Sequence, residues 1–375
     1  MSKKIKIAFV TASNPRDKKS WSGIYYQMYQ NLKNNVEKVD CIGPIPLFFI
    51  KAMAVTNRLS KFIFKKGYNY KNSIVLSYIH SKYIQFKLAG KSYDYIFAPA
   101  ASTEVAFLNT KIPIIYCSDS SFGQMNDYYD TYSNLFSFSA KESNFIEQKA
   151  ISNASYFSYP SNWAKQYVET NYNFNGPIQM IPFGANIEEK YIKFIPKTIN
   201  KNEAINVLFL GVDWYRKGGE LVFDVFLQLL ESGYNINLTV CGCIPPVKHN
   251  KMRVIPFLNK NKESDLEQLS EIFIESHFLF LPSKAECFGI VFCEASAYGV
   301  PSITRNTGGI SNAVYNGVNG YCLDKEAEAK EYFSLIQNLI ENETEYKELS
   351  LSSRELYNSK LNWQSWSTSI LQMLD

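Results

Sequence analysis

Cysteine and histidine are scarce, and neither is arranged for metal or disulfide chemistry. Seven cysteines occur, at 41, 117, 241, 243, 287, 293 and 322, and the three histidines (His80, His249, His277) lie scattered. The cysteine number is odd and no C-x-x-C pair exists, which argues against a structural zinc site or a disulfide framework and fits a reducing cytoplasm. Nothing at the N-terminus resembles a signal peptide, because "MSKKIKIAFV" runs straight into a strand pattern. No run of 18 apolar residues is present, so no membrane-spanning helix is expected. Acidic residues are missing over one long stretch. Between Cys41 and Tyr93 there is no Asp or Glu, against nine Lys/Arg.

What is present points to a two-domain α/β protein. At 375 residues the chain exceeds one ordinary core. Hydrophobic residues make up 46% and charged residues 20%, the range of soluble globular proteins. Net charge is +4, unevenly spread: residues 1–100 hold 17 Lys/Arg against four acids. The basic stretch interleaves aromatic and aliphatic residues, as in "LSKFIFKKGYNY". Such a face over 47–91 attracts an anionic membrane surface or a polyanionic acceptor; a solvated basic face gives the same pattern. No nucleic-acid recognition motif accompanies it.

Short β-branched runs alternate with amphipathic ones. "IKIAFV", "YDYIFAPA", "IPIIYCS" and "ASYFSYPS" read as strands. "WSGIYYQMYQNLKNN" reads as a helix opened near Ser22 and Gly23, and "SNWAKQYVETNY" as a helix with Ser161 as N-cap. A Lys/Asn-rich run over 189–204 breaks the pattern and is placed as the linker between domains 1–188 and 205–360. A second series follows: "INVLFLG", "INLTVCGC", "MRVIPFL", "HFLFLPS", "PSITR" and "GYCL", with helices between them and two at the end. Two Rossmann-like, doubly wound domains facing a cleft are expected, with the last helix, 361–375, packing back on the first. Open α/β sheets bind ligands at the carboxyl ends of their strands, so chemistry belongs in the loops that follow them.

The stretch "LPSKAECFGIVFCEASAYGVPSITRNTGG" carries two carboxylates eight residues apart, Glu286 and Glu294, around Gly289. A strand before it and helical spacing after it put residues 284–289 in a strand-to-helix loop. The first helical N–H groups then form an anion site. A phosphate between two carboxylates requires neutral, hydroxyl-rich groups on either side, as a nucleoside diphosphate sugar provides. The spacing alone equally fits a surface loop acid and a solvated helix end.

The motif "ECFGIVFCE", followed by A-x-A-x-G-x-P and "TGG", resembles glycosyltransferase family 4. The resemblance extends through "VLFLGVDWYRKGG", "YPSNWAK", "IPFGAN" and "NGVNGYCL". It implies a GT-B fold and a retaining transfer from a nucleoside diphosphate sugar, UDP-sugar favoured over GDP-sugar, to a hydroxyl. The acceptor would be a glycan or a lipid-linked molecule in bacterial surface polysaccharide or glycoconjugate synthesis. The enzyme would be cytoplasmic or peripheral at the inner face of the cytoplasmic membrane.

The resemblance also implies roles for single residues. Glu286 contacts donor-sugar hydroxyls, Glu294 holds the ribose, and the backbone of Phe288, Gly289 and Ile290 meets the diphosphate. Arg216 and Lys217 neutralise the leaving group. Phe257 and Leu258 stand where the family's backbone reads the nucleobase, and are equally good as core residues. The chain departs from the pattern at three places. Val212 stands where the family often has Arg, Ser22-Gly23 replaces a glycine pair, and Asp119 stands nearest to a customary His. Asp119 either orients a substrate hydroxyl or caps its loop through Ser120 or Ser121. No D-x-D motif occurs, and no cofactor or metal is expected, with Arg216, Lys217 and a helix start in place of a divalent cation. A catalytically silent sugar-nucleotide-binding subunit is the rival reading.

Overall fold

The computed structural model describes residues 3–45 and 48–375. The side chains of residues 3, 48–53 and 56 also lie outside the description, so the basic stretch 47–91 is described only in part. No helix among the described residues is long and apolar enough to cross a membrane.

The chain divides into two compact units, Met1–Ile181 with Ser367–Asp375, and Pro182–Trp366. The first holds six parallel strands, β1 (Lys3–Phe9), β2 (Val36–Cys41), β3 (Tyr95–Pro99), β4 (Ile114–Cys117), β5 (Tyr156–Tyr159) and β6 (Ile178–Met180). Their order is β2-β1-β3-β4-β5-β6. Parallel neighbours need crossover connections, so helices cover both faces and the central strands are apolar throughout. All four residues of β4 are buried, and its register sets Ile115 against Phe97 and Tyr156. The helix Ile24–Asn35 follows Gly23, and Ser161 caps the helix Asn162–Asn171, its Oγ accepting from the Ala164 N–H at 3.2 Å. β2 escaped the sequence reading because "VEKVDC" buries only Val36 and Val39 and carries three charges.

The second unit holds β7 (Ile205–Leu210), β8 (Ile236–Cys241), β9 (Met252–Ile255), β10 (Phe278–Leu281), β11 (Ser302–Arg305) and β12 (Gly320–Leu323). All are parallel, in the order β12-β11-β10-β7-β8-β9. Residues 189–204 pack on this unit: the Tyr191 hydroxyl donates to Glu263 at 2.9 Å, and Ile199 is buried. The long polar segment near the C-terminus is two helices, Ala329–Glu341 and Glu343–Ser359, broken at Asn342, whose side chain caps the second.

One buried acid gives the first unit a pH dependence. Glu147, on the helix Ser137–Asn153, is buried and accepts from the Tyr116 hydroxyl at 2.8 Å. Burial pushes its pKa from 4.5 up to about 7, only partly offset by hydrogen bonds from Tyr116, Ser102 and the Phe122 N–H. The folded state therefore binds the proton more tightly than the unfolded chain. Its contribution is complete below pH 4.5 and is lost as pH rises through about 7, a total of about 3 kcal/mol. Glu147→Gln keeps an acceptor and removes the charge. The variant's urea-unfolding stability relative to wild type should rise across that window and level off above it. A pH-independent difference would contradict the assignment.

Candidate active site

Both sheets reverse their strand order once, and the reversal fixes where loops converge. In the second unit the chain winds outward from β7 through β8 to β9, then returns to β10 on the other side of β7. The connections from β7 and β10 therefore run to opposite faces, and a crevice opens between them at the carboxyl ends, where open α/β sheets bind ligands. Two loops border it, 211–218 after β7 and 282–289 after β10. They are distant in sequence and adjacent in space because β7 and β10 pair, Leu208 against Leu279.

The first loop is wound tightly. The Arg216 N–H donates to Asp213 Oδ1 at 3.0 Å and the Lys217 N–H to the Asp213 carbonyl at 3.1 Å. Trp214 is buried against Phe209, with ring centroids 5.0 Å apart. Gly218 closes the turn with φ 79°, and any Cβ there would collide with the Pro282 carbonyl of the second loop. This close approach needs glycine on both counts. The helix Gly219–Glu231 follows.

That turn carries Arg216 and Lys217 to the second loop. The Lys217 ammonium forms an ion pair with Glu286 Oε2, and Lys217 is buried. Arg216 Nη1 donates to the Ala285 carbonyl at 3.0 Å and stands 3.9 Å from Glu286 Oε2; its Nε lies 3.7 Å from Asp213. Backbone bonds tie the loops together, Lys284 N–H to the Arg216 carbonyl at 2.8 Å and Gly309 N–H to the Glu286 carbonyl at 3.2 Å. Two adjacent cations ahead of a helix need an anion. Here Glu286 and Asp213 supply it within the chain.

Gly289 ends the second loop with φ 94°; a Cβ there would lie 2.5 Å from the Phe292 ring. The helix Ile290–Ala297 begins at once; its Ile290 and Val291 N–H groups have no intrahelical acceptor, while the Phe292 N–H donates to the Gly289 carbonyl at 3.0 Å. Phe288 is buried with its ring 5.6 Å from that of Phe183, which fixes the loop's base. Glu294 lies one turn into the helix and is only 3% exposed. Its partner is Lys260, whose Nζ stands 2.5 Å from Glu294 Oε1. Sequence reasoning missed Lys260. It follows β9 in a polar loop, and nothing in "FLNKNK" distinguishes one lysine from the other. Phe257 and Leu258, expected as base contacts or core, are not core: Phe257 is exposed at 59% and Leu258 is half-buried.

In the first unit, Asp119 follows β4 and Gly23 follows β1. Trp21 joins their loops, its indole Nε1–H donating to Asp119 Oδ2 at 3.2 Å. Trp21, Ser22 and Gly23 all adopt left-handed conformations, with φ of 48°, 56° and 94°. Such backbone costs about 1 kcal/mol or more per non-glycine residue and is held by its surroundings. The Trp21 ring sits 5.1 Å from Tyr25, whose hydroxyl pKa is driven far upward by burial and then by Glu104 and Asp119. Ser120 Oγ also reaches Asp119, at 3.4 Å. Trp21 left no sequence signal, because a run of positive φ in non-glycine residues follows from tertiary packing.

Among the described residues, no group of three or more His, Cys, Asp or Glu could hold a metal ion. The carboxylate of Glu286 can accept hydroxyl groups, the cations beside it can face a polyanion, and the start of the helix Ile290–Ala297 can meet phosphate oxygens.

Residues 192–356 match the family model for glycosyl transferases group 1, a match that lies within the second unit and covers less than half of the chain. The chain is 26% identical over 182 residues to the capsular polysaccharide biosynthesis glycosyltransferase CapM of Staphylococcus aureus, covering 48% of this chain and 46% of that protein. It spans less than half the length of the first curated relatives it matches. The sucrose-phosphate synthase of Thermosynechococcus elongatus superposes with a TM-score of 0.71 at 16% identity, over 99% of this chain and 98% of that one. Alr3699/HepE of Anabaena, solved in complex with UDP and glucose, superposes at 0.66 and 14% identity over 99% of both chains. These likenesses define the fold class: two Rossmann-like domains of the GT-B type.

The Lys260–Glu294 pair makes a direct prediction. Removing one partner of a buried ion pair leaves a stranded charge and costs about 3–5 kcal/mol. Glu294 is nearly fully buried while Lys260 keeps some water contact, so the lower end applies. Lys260→Ala should lower urea-unfolding stability by about 3 kcal/mol, and the Lys260→Ala/Glu294→Gln double variant should recover at least half of that. Equal losses in both variants would show that the pairing is not what holds Glu294 in place.

Proposed function

We propose that the chain transfers a sugar from a nucleoside diphosphate sugar, with a UDP-sugar favoured, to a hydroxyl of a glycan or lipid-linked acceptor in surface polysaccharide synthesis. The observation that carries this reading is the convergence, at one strand-order reversal, of Glu286 with Lys217 and Arg216 beside the start of the helix Ile290–Ala297. The group 1 match over 192–356 and the similarity to CapM support it, as does the likeness in fold to HepE, which was solved with UDP and glucose.

The chemistry follows from charge. Breaking the bond between the anomeric carbon and the phosphate oxygen places developing negative charge on the diphosphate. Lys217, Arg216 and the helix N–H groups are preorganised cations and donors for that charge, the most effective kind of transition-state stabilisation. They would do the work a divalent metal does elsewhere. Glu286 would leave its ion pair in part to accept sugar hydroxyls and fix the anomeric carbon, and Glu294 would accept the ribose hydroxyls beside Lys260. Such charge-assisted bonds contribute about 1.5–3 kcal/mol each. The acceptor oxygen would bond to the anomeric carbon on the face the diphosphate leaves, so configuration is retained. A phosphate oxygen of the leaving group would take the acceptor's proton, so no protein nucleophile is required.

Lys217→Ala should lower kcat by about 100- to 1000-fold, as expected for losing one preorganised transition-state contact. Glu286→Ala should do the same. Glu294→Ala should instead act mainly on donor KM. Steady-state kinetics with a UDP-sugar panel and circular dichroism of each variant check this, and wild-type turnover in all three folded variants would overturn the reading. Donor preference is checked by thermal shift: UDP should raise the melting temperature more than GDP at equal concentration, and the reverse order would overturn the uridine assignment.

A further inference from the structure

The first unit carries a helix that is apolar on its outward face as well as on its inward one. In the helix Ile74–Leu88, the buried positions are Leu76, Ser77, His80, Ser81, Ile84 and Leu88. Ser77 Oγ donates to the Thr103 carbonyl at 2.7 Å, Ser81 Oγ to the Glu104 carbonyl at 2.9 Å, and His80 Nδ1 pairs with Glu104 at 3.0 Å. The exposed positions are Ile74, Val75, Tyr78, Ile79 and Phe86, with Lys82 and Lys87 among them. A helix packed only against its own domain keeps its outward face polar.

The preceding helix, Phe48–Phe64, also has an apolar outward face at its C-terminal end. Val55, Leu59, Phe62 and Ile63 recur at i, i+4, i+7 and i+8, the spacing of one helical face, and all are exposed, Phe62 at 79%. Aromatic contacts join the two helices into one surface. The Phe64 ring lies 6.0 Å from Phe136, Phe136 5.4 Å from Phe138, and Phe138 5.8 Å from Tyr68. The Tyr68 hydroxyl donates to Glu142, whose other oxygen accepts the Ile74 N–H at 2.8 Å. Contiguous apolar patches of this kind mark interaction sites.

The charge around the patch selects the partner. Arg58, Lys61, Lys65, Lys66, Lys71 and Lys82 are all exposed, and no acid occurs between Cys41 and Tyr93. Glu142 is already occupied by Tyr68 and Ile74, and Glu104 is buried. Apolar side chains on helices flanked mainly by cations match the interfacial layer of an anionic bilayer, where rings sit at the acyl boundary and ammonium groups meet headgroup phosphates. We propose that this face, formed by Val55–Lys66, Ile74–Phe86 and Phe136–Phe145, docks on an anionic lipid surface. The proposal deepens the reading of the chain as a transferase for a lipid-linked acceptor and rests on it for the identity of that acceptor.

Co-sedimentation of the full chain with phosphatidylcholine vesicles, with and without phosphatidylglycerol, tests this in the absence of any nucleotide sugar. Failure would therefore leave sugar transfer standing, and loss of transfer in the Glu286 variant would leave vesicle binding intact. Wild type should bind anionic vesicles at low salt, bind neutral ones at least tenfold more weakly, and release at roughly 0.5 M salt. Phe62→Ser/Phe64→Ser and Lys65→Glu/Lys66→Glu should each lower the vesicle partition coefficient at least tenfold, since each lysine contributes roughly fivefold. Both pairs are exposed, so melting temperatures should stay unchanged. Three results would overturn the proposal: no binding at low salt, binding unaffected by either double variant, or lipid-free self-association abolished by the Phe changes without vesicle binding. The last would assign the face to a second copy of the chain.

Discussion

The ion pair between Lys217 and Glu286 is the contact on which the candidate site depends. It joins loops that the sequence separates by β8, β9 and β10. The pair exists because the sheet reverses between β7 and β10, which sets two strand-to-helix loops side by side at one edge. Every other feature of the site follows from holding these loops together. Gly218 lets the first approach the Pro282 carbonyl, Arg216 braces the Ala285 carbonyl, and Gly289 turns the second loop into the helix Ile290–Ala297. A close charge pair at partial burial is strong enough to order two loops, yet exposed enough for a ligand to compete with it.

The second unit also shows how a buried acid is partnered from within the chain. Glu294 would be costly in its place alone, and Lys260 offsets that cost from a loop after β9. The two acids of the E-x7-E pattern thus sit in matched arrangements, each held by a lysine from a different loop. In the first unit the corresponding device is conformational: Trp21, Ser22 and Gly23 hold a left-handed run that delivers the Trp21 indole to Asp119.

Much of this was legible in the sequence, for identifiable reasons. The inner strands of the second unit, β7, β8, β10 and β11, are mostly apolar or β-branched runs, because inner parallel strands are buried on both faces. Glu286 and Lys217 could be assigned to the same sheet edge from the strand–loop–helix rule alone, but not to each other, since pairing depends on strand order. Lys260 was not legible, because a lysine that neutralises a buried acid looks like any surface lysine. β2 was hidden by its charges, and the helix Ile74–Leu88 by apolar residues spread over both its faces, which leave no helical period to read. Phe257 reads equally as a base contact or as core, and its exposure removes only the second, since aromatic content says nothing about which side of a chain faces water.

The central claim is that the cationic pair beside Glu286 binds a diphosphate. Titration calorimetry comparing UDP with uridine, on wild type and on Lys217→Ala, measures that contribution without requiring an acceptor. The account predicts that UDP binds wild type much more tightly than uridine does, and that the substitution erases most of this difference while leaving uridine affinity unchanged. An undiminished preference for UDP in the folded variant would contradict it.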